Sequence, residues 1–421
     1  MGDWYASRKT SKCPLFSCIR YEINMRDLNY LYYLIMNTTT IPQSEFEERI
    51  KKFQANIRKE GLDGCLVHAT ESDMAFVRYL SEYWPVFETA GIFVPAKGEA
   101  VLLVGPESNL YASHRSFFKN IEKMIEYRES AEPDAPGMSF ITYKDLLEKY
   151  DLQHIHKIGI VGWAITSLPV YTSLKEQLPN VEIVKADMTL WPLRFVKSEN
   201  ELACMRKAYR ISELAVGAIL NEIKPGMTEL QVIGIAQREI YKHGGEYEGH
   251  SLYCFCGEST NNAISRPGHN TIVKNEVIQL NIGARVSGYS SSVGLPFSIG
   301  PLPERKKRLI EFGLKAHKRT IGIIAAGKPA GQVVNDYENW VKEQGFDQYL
   351  LYGPCHAIGM MEVERPWMES TSEYLLQENM TFQIDTFFYD KDFGLRWENG
   401  VIVKDGGVEM MSSKFMKYIE L

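Results

Sequence analysis

The 421-residue chain has no run of about 18 apolar residues, the length a membrane-spanning helix needs. It has no excess of positive charge either. Lys and Arg number 47 against 53 Asp and Glu, a net charge of −6, where a nucleic-acid protein or a basic membrane-surface protein would carry the opposite sign. Cysteine is sparse, at positions 13, 18, 65, 204, 254, 256 and 355. The odd number and the scatter read as reduced thiols in a cytoplasmic protein, not as a disulfide framework. Cys254-x-Cys256 lacks a second pair at zinc spacing, and the glycines from Gly283 to Gly294 do not follow a phosphate-loop pattern. Residues 1–35 lack the apolar run and small-residue cleavage site of a secretory leader.

What is present is ordinary globular material. Hydrophobic residues make up 45% and aromatics 12%, enough for a large core, and the length allows two or three domains. Residues 1–40 differ from the rest and read as an N-terminal extension, with Met36 a natural start. The rival reading is an arm that packs on a partner subunit. From Pro42 the pattern is regular. Ser44-x-x-Glu47 reads as a capping box opening a helix with Phe46, Ile50, Phe53 and Ile57 on one face, and Gly61 ends it. Apolar strands follow near 63–67, 91–95, 100–104, 158–162 and 181–184, alternating with helical stretches. This predicts an α/β domain over 41–195. At Leu193–Lys197 the character changes, and a second domain spans 196–421. Ser198-x-x-Glu201 caps a long helix running to about Ile223, and Thr228-x-x-Gln231 caps another ending at Gly244-Gly245. Residues 215–233 are echoed at 320–334, each a helix, a Gly/Pro break and a second helix. The echo suggests two related halves with a site between them.

Five short segments of the second domain carry chemistry. His269 lies in the turn Arg266-Pro267-Gly268-His269-Asn270. Asn281 ends an apolar strand, and Ser292 follows a glycine turn. His356 sits among small residues ahead of Glu364 and Arg365. Asp385 and Glu398 each lie within an apolar strand. A carboxylate in a buried strand is costly unless it is paired, hydrogen-bonded or bound to a cation, so two such strands near a histidine point to a polar site. Edge strands with solvent-facing acids are the alternative. Cys355 could be a nucleophile, but a small packed residue is the simpler reading.

In this order the segments resemble the pita-bread family of methionine aminopeptidase, aminopeptidase P, prolidase and creatinase, over roughly residues 44–415. The resemblance implies an α/β (α+β) chain: a creatinase-type N-terminal domain and a C-terminal pita-bread domain with a pseudo-two-fold repeat. The metallopeptidases of the family hold two divalent metals with two Asp, one His and two Glu. Those positions fall on Asn281, Ser292, His356, Asp385 and Glu398, a further substrate-side His falls on Val363, and the catalytic His falls on His269. Asn and Ser are poor ligands for a hard cation, so a dinuclear site is not expected. Creatinase departs in a similar way and works without metal.

The resemblance therefore implies a metal-independent, creatinase-like hydrolase that cleaves a C–N bond of a small cationic or zwitterionic compound. His269, His356, Asp385 and Glu398 would be catalytic, His269 as the proton shuttle. Asn281, Ser292, Glu364, Arg365, Phe87 and Glu88 would bind substrate. No cofactor is expected. The alternatives are a peptidase or lyase with one divalent metal on His356, Asp385 and Glu398, and a non-catalytic binding protein. The creatine-binding acids are not all kept, since one falls on Gly294. The family further implies a homodimer in which residues near Trp84 to Glu88 cap the neighbouring pocket. Neither nucleic acid nor membrane is expected as a partner.

Overall fold

The computed structural model describes residues 39–421. The extension read over 1–40 lies outside the described residues, except for Thr39 and Thr40. No helix among the described residues is long and apolar enough to cross a membrane.

The first helix, Gln43–Lys59, buries Phe46, Phe53 and Ile57 as the periodicity predicts. Its predicted cap does not form. Pro42 is the N-cap with no side-chain hydrogen bond, and Ser44 already lies inside the first turn. Glu47 instead accepts from Gln43 Nε2 at 2.9 Å. The first sheet has β1 (Gly64–Ala69), β2 (Ala90–Pro95), β3 (Val101–Val104), β4 (Ile121–Lys123), β5 (Lys157–Val161) and β6 (Glu182–Lys185), in the order β4-β3-β2-β1-β5-β6. Successive residues of β1 serve different cores. Cys65 and Val67 join one apolar cluster and Leu66 another, so both faces of the sheet are covered.

After the helix Asp187–Phe195 the two capping boxes form as read. Ser198 and Glu201 bond reciprocally at the start of Glu199–Glu222, and Thr228 and Gln231 do so at Glu229–Lys242. The internal echo is structural. The helix pair Glu199–Glu222 and Glu229–Lys242 is matched by Glu304–Ile323 and Ala330–Glu343. Each pair turns through a glycine of positive φ, Gly226 at +90° and Gly327 at +83°, where a side chain would be strained.

The remaining strands are β7 (Tyr247–Glu248), β8 (Tyr253–Cys256), β9 (Ile278–Ile282), β10 (Ala284–Val286), β11 (Tyr289–Ser290), β12 (Val293–Ser298), β13 (Cys355–Ala357), β14 (Thr381–Tyr389), β15 (Gly394–Lys404), β16 (Gly407–Met410) and β17 (Ile419–Glu420). A small sheet runs β11-β10-β7. The large one runs β13-β14-β15-β12-β9-β8, with β16 added to β15 and β17 to β12. The helix Glu304–Ile323 covers one face of the large sheet. There a Cβ on Gly313 would come within 2.6 Å of Leu395. The other face carries the polar side chains of interest.

Candidate functional site

Strand register assembles the site. Asp385 of β14 is opposite Glu398 of β15, Glu398 is opposite Gly294 of β12, Gly294 is opposite Asn281 of β9, and Asn281 is opposite Tyr253 of β8. Directly opposed residues share a face, so these five form one row across the sheet. His356 of β13 is opposite Gln383, two residues before Asp385 and hence on the same face. Gly294 serves the row by its lack of a side chain. A Cβ there would lie 2.6 Å from Asn281 Nδ2 and 2.8 Å from Glu398 Cβ. Its absence lets the Asn281 amide reach across to Glu398 Oε2 at 2.7 Å.

The Asn281 amide is oriented by its neighbours. Its Oδ1 accepts from Gln279 Nε2 at 3.0 Å, and Gln279 is itself fixed by accepting from the Arg396 amide at 2.7 Å. Ser292 donates its hydroxyl to the same Glu398 oxygen. His250, absent from the sequence reading, reaches Ser292 Oγ through Nε2 at 3.0 Å, while its Nδ1 lies 2.7 Å from the Ser251 carbonyl. Burial holds the His250 imidazole below its ordinary value, against the opposing pull of Glu362. The only sequence sign of His250 is its place between the Gly249 turn and a strand.

His356 is buried, with Nδ1 3.1 Å from the Ala357 carbonyl and Nε2 3.4 Å from Glu362 Oε1. Burial alone would depress its pKa. Glu362, with Asp385 and Glu398 behind it, outweighs burial and lifts it to about 9. Burial and then Asp385 push Glu398 up. Burial would raise Glu362 as well, but His356 beside it holds it down. His356, Glu362 and Glu398 bring one nitrogen and two carboxylate oxygens within 4.8 Å of one another.

Asp385 is occupied otherwise. Its Oδ2 accepts from Tyr352 at 2.8 Å, and its Oδ1 lies 3.3 Å from Arg396 Nε. Arg396 also donates to Tyr352 Oη at 2.6 Å and to the Ala263 carbonyl at 2.8 Å. The single-metal set read from sequence, His356 with Asp385 and Glu398, is thus not the set whose donor atoms converge. Glu362, Tyr352 and Arg396 were missed as site residues. Arg396 follows Leu395 in a strand, Tyr352 lies in a loop, and neither carries a spacing that marks it.

His356, Glu362, Tyr352, Asp385, Arg396 and Glu398 line a cavity of about 580 Å³ with Tyr253, Ile264, Leu351 and Trp367 as its apolar wall, while Asn281 and Ser292 lie behind Glu398 and do not line it. Val363, at the position of the family's substrate-side histidine, lies on that wall too. Other sequence candidates fall elsewhere. His269 is exposed and does not line the cavity, because its loop is pinned to a helix start. Gly268 N donates to Glu229 Oε2 and Glu229 N to the Asn270 carbonyl, each at 2.9 Å. Glu364 is buried and paired with Arg194, so it is not available to substrate. Arg365 is exposed and outside the cavity lining. Phe87 is 80% exposed at the tip of a loop. Glu88 is buried and satisfied, accepting from the Glu107 and Ser108 amides at 3.1 Å. In this chain neither lines the cavity. Cys355 is buried with Sγ 3.1 Å from Met368 Sδ, and burial raises its thiol far from the thiolate range.

Comparison with known proteins follows the same division of the chain. The model of "Metallopeptidase family M24" matches residues 203–405, and that of "Creatinase/Prolidase N-terminal domain" matches residues 49–196. The Xaa-Pro dipeptidase of Pyrococcus furiosus is 23% identical over 320 residues, covering 76% of this chain and 88% of that protein. Among solved structures, an Xaa-Pro dipeptidase from Bacillus anthracis superposes with a TM-score of 0.77 at 20% identity, over 89% of this chain and 100% of that one. An X-Pro aminopeptidase from Thermotoga maritima gives 0.76 at 20% identity, over 88% and 99%. At these identities the structural likeness is one of fold.

Proposed function

We propose that this chain, which belongs to the creatinase, prolidase and aminopeptidase P family, is a metal-dependent peptidase acting on short peptides of the Xaa-Pro kind, with one divalent cation. It is a hydrolase of a C–N bond. The observation that carries the reading is the convergence of an imidazole nitrogen and carboxylate oxygens, His356 and Glu398 among them, at a cavity with an apolar wall. The donor set suits a single cation of moderate hardness with open positions. It does not suit two. Asn281 turns its amide hydrogens toward Glu398, its carbonyl oxygen being taken by Gln279, and Ser292 gives its hydroxyl hydrogen to Glu398. When bound, the cation supplies a Lewis acid for the scissile carbonyl.

The chain's own groups do the rest. Asn281 and Ser292 hold one oxygen of Glu398 and so fix its carboxylate. The cavity's acids, Glu362, Glu369, Asp385 and Glu398, outnumber Arg396 and His356 and favour a substrate with a free amino group. The wall of Tyr253, Leu351 and Trp367 takes an apolar residue such as a proline ring. In the test, purified protein is incubated with manganese, cobalt or zinc and assayed on Xaa-Pro and other dipeptides, with and without chelator. Hydrolysis that chelator abolishes and metal restores is expected. Turnover that is indifferent to chelator, by protein with less than about a tenth of an equivalent of metal, overturns the reading. It would favour the second one, a metal-independent creatinase-like hydrolase. That alternative draws on the two donors, Asn281 and Ser292, that meet Glu398 where the family's metallopeptidases have aspartates.

A further inference from the structure

We infer that the third protein ligand of the single cation is Glu362, a residue outside the family's inherited ligand positions, and that Asp385, which occupies an inherited position, binds no metal. The inference deepens the metal-dependent reading above and rests on it. Two donors bound at about 2.1 Å lie at most about 4.2 Å apart. The converging atoms of His356, Glu362 and Glu398, within 4.8 Å of one another, are therefore a small side-chain adjustment from a ligand set. The His356 ring is already turned for it. Its Nδ1 faces a backbone carbonyl, and its Nε2 faces Glu362. This is the second-shell arrangement that aims the other nitrogen of a ligating imidazole.

Asp385 differs in what surrounds it. The Arg396 guanidinium lies 3.3 Å from Asp385 Oδ1, and Tyr352 donates to Oδ2. A cation entering there would have to displace a fixed positive charge that is buried with it. Among the described residues Glu362 has His356 as its ion-pair partner, with Arg396 acting on it only at longer range, and Arg396 stands off at 3.9 Å from Glu398 Oε1. Asp385 is buried, its residue only 6% exposed, and its Oδ1 is met by the Arg396 guanidinium through charge and not through a hydrogen bond.

The loop that carries Glu362 is held on both sides. Ser290 N donates to the Gly359 carbonyl at 2.7 Å, and Ser290 Oγ donates to the Met360 carbonyl at 2.9 Å. Two residues beyond Glu362, Glu364 N donates to the Ala357 carbonyl at 2.9 Å, and the Glu364 carboxylate accepts from Met361 N at 2.9 Å. That carboxylate is anchored by Arg194 and lies 3.7 Å from Lys197 Nζ, both from the connection between the two halves of the chain. Gly359 permits this, since a Cβ there would come within 2.5 Å of Glu364 Oε2. Glu362 is thus presented to His356 by a loop of fixed path.

Manganese and cobalt binding to the full chain test the assignment, by calorimetry and by the cobalt absorption spectrum. Wild type is expected to take about one equivalent. Glu362→Gln should weaken binding by at least about tenfold, and Asp385→Asn should keep it within about threefold. Circular dichroism and a second variant, Glu362→Asp, guard against a folding defect. The shorter acid should retain a cobalt spectrum, shifted from that of wild type. If Asp385→Asn loses the cation, alone or together with Glu362→Gln, the assignment is overturned while the metal-dependent reading stands. The same follows if Glu362→Gln binds as wild type does. A wild-type chain that binds no cation overturns both.

Discussion

At the scale of single residues, two buried histidines outside the cavity lining contribute to the response to acid. His68 in β1 is fully buried, and neither ring nitrogen has a hydrogen-bond partner among the described residues. His317 is fully buried between Thr386 Oγ1 at 3.1 Å and Asn399 Oδ1 at 3.0 Å. Burial lowers each to about 4. Between pH 6.5 and 4 the unfolded chain therefore binds protons at these positions that the folded chain does not. Stability rises with pH across that window and is lost as pH falls through it, by on the order of 3 kcal/mol for each histidine. Urea midpoints at pH 7 and pH 5 should differ accordingly, and His68→Gln with His317→Gln should flatten the difference. An unchanged slope in the double variant would remove these histidines as its source. The residues of the site were legible in part at this scale. A carboxylate amid Phe, Ile and Thr in a strand is chemically conspicuous, which is how Asp385 and Glu398 stood out. The charged run from Glu362 to Arg365 is conspicuous too, but Glu364 and Arg365 read as its site residues, because nothing in the run itself says which acid faces the cavity.

At the scale of elements, the capping boxes and the repeated helix pairs were readable because they are local. The two reciprocal bonds of Ser198 with Glu201 span three residues, and the glycine turns at Gly226 and Gly327 follow from backbone sterics alone. The Ser44 box failed for an equally local reason, since Pro42 already sets the extended entry to the helix. Connections between elements were not readable. The loop after β13 depends on an ion pair between Arg194 and Glu364, residues buried to 2% and 1% side-chain exposure and distant in sequence. Arg194→Met would leave the Glu364 carboxylate buried beside only Lys197. It should cost about 3–5 kcal/mol in denaturant unfolding, and the companion change Glu364→Gln should recover much of it. If Arg194→Met is neutral alone, the pair does not anchor the loop.

At the scale of the whole molecule, the two halves of the chain share one apolar cluster that runs from Ile41 to Phe415. Buried polar links cross between them. Arg49 of the first helix donates to Tyr289 Oη at 3.1 Å and to the Tyr79 carbonyl at 2.9 Å, and its Nη2 lies 3.5 Å from Glu201 Oε1. Arg78 pairs with Glu246 at 2.8 Å. A shared core and buried cross-links make the halves unfold together. Calorimetry should show a single transition, and Arg49→Met should lower its midpoint without splitting it. Two resolved transitions in the wild-type protein would mean that the halves are energetically separate.

The sequence by itself determined the periodicities, the capping boxes at Ser198 and Thr228, the α/β class and the strands that carry His356, Asp385 and Glu398. Each of these depends on residues within a few positions of one another. Only the tertiary structure decided which acids meet which histidine. Strand alternation puts Asp385 and Glu398 on one face, but the Arg396 and Tyr352 side chains engage Asp385, and the path of the loop after β13 brings Glu362 to His356. It likewise drew His250 to Ser292 and left His269 in solvent. Electrostatic pairing in a buried site is set by distances of a few ångströms through space, and those distances depend on loop paths and packing that local sequence pattern does not encode.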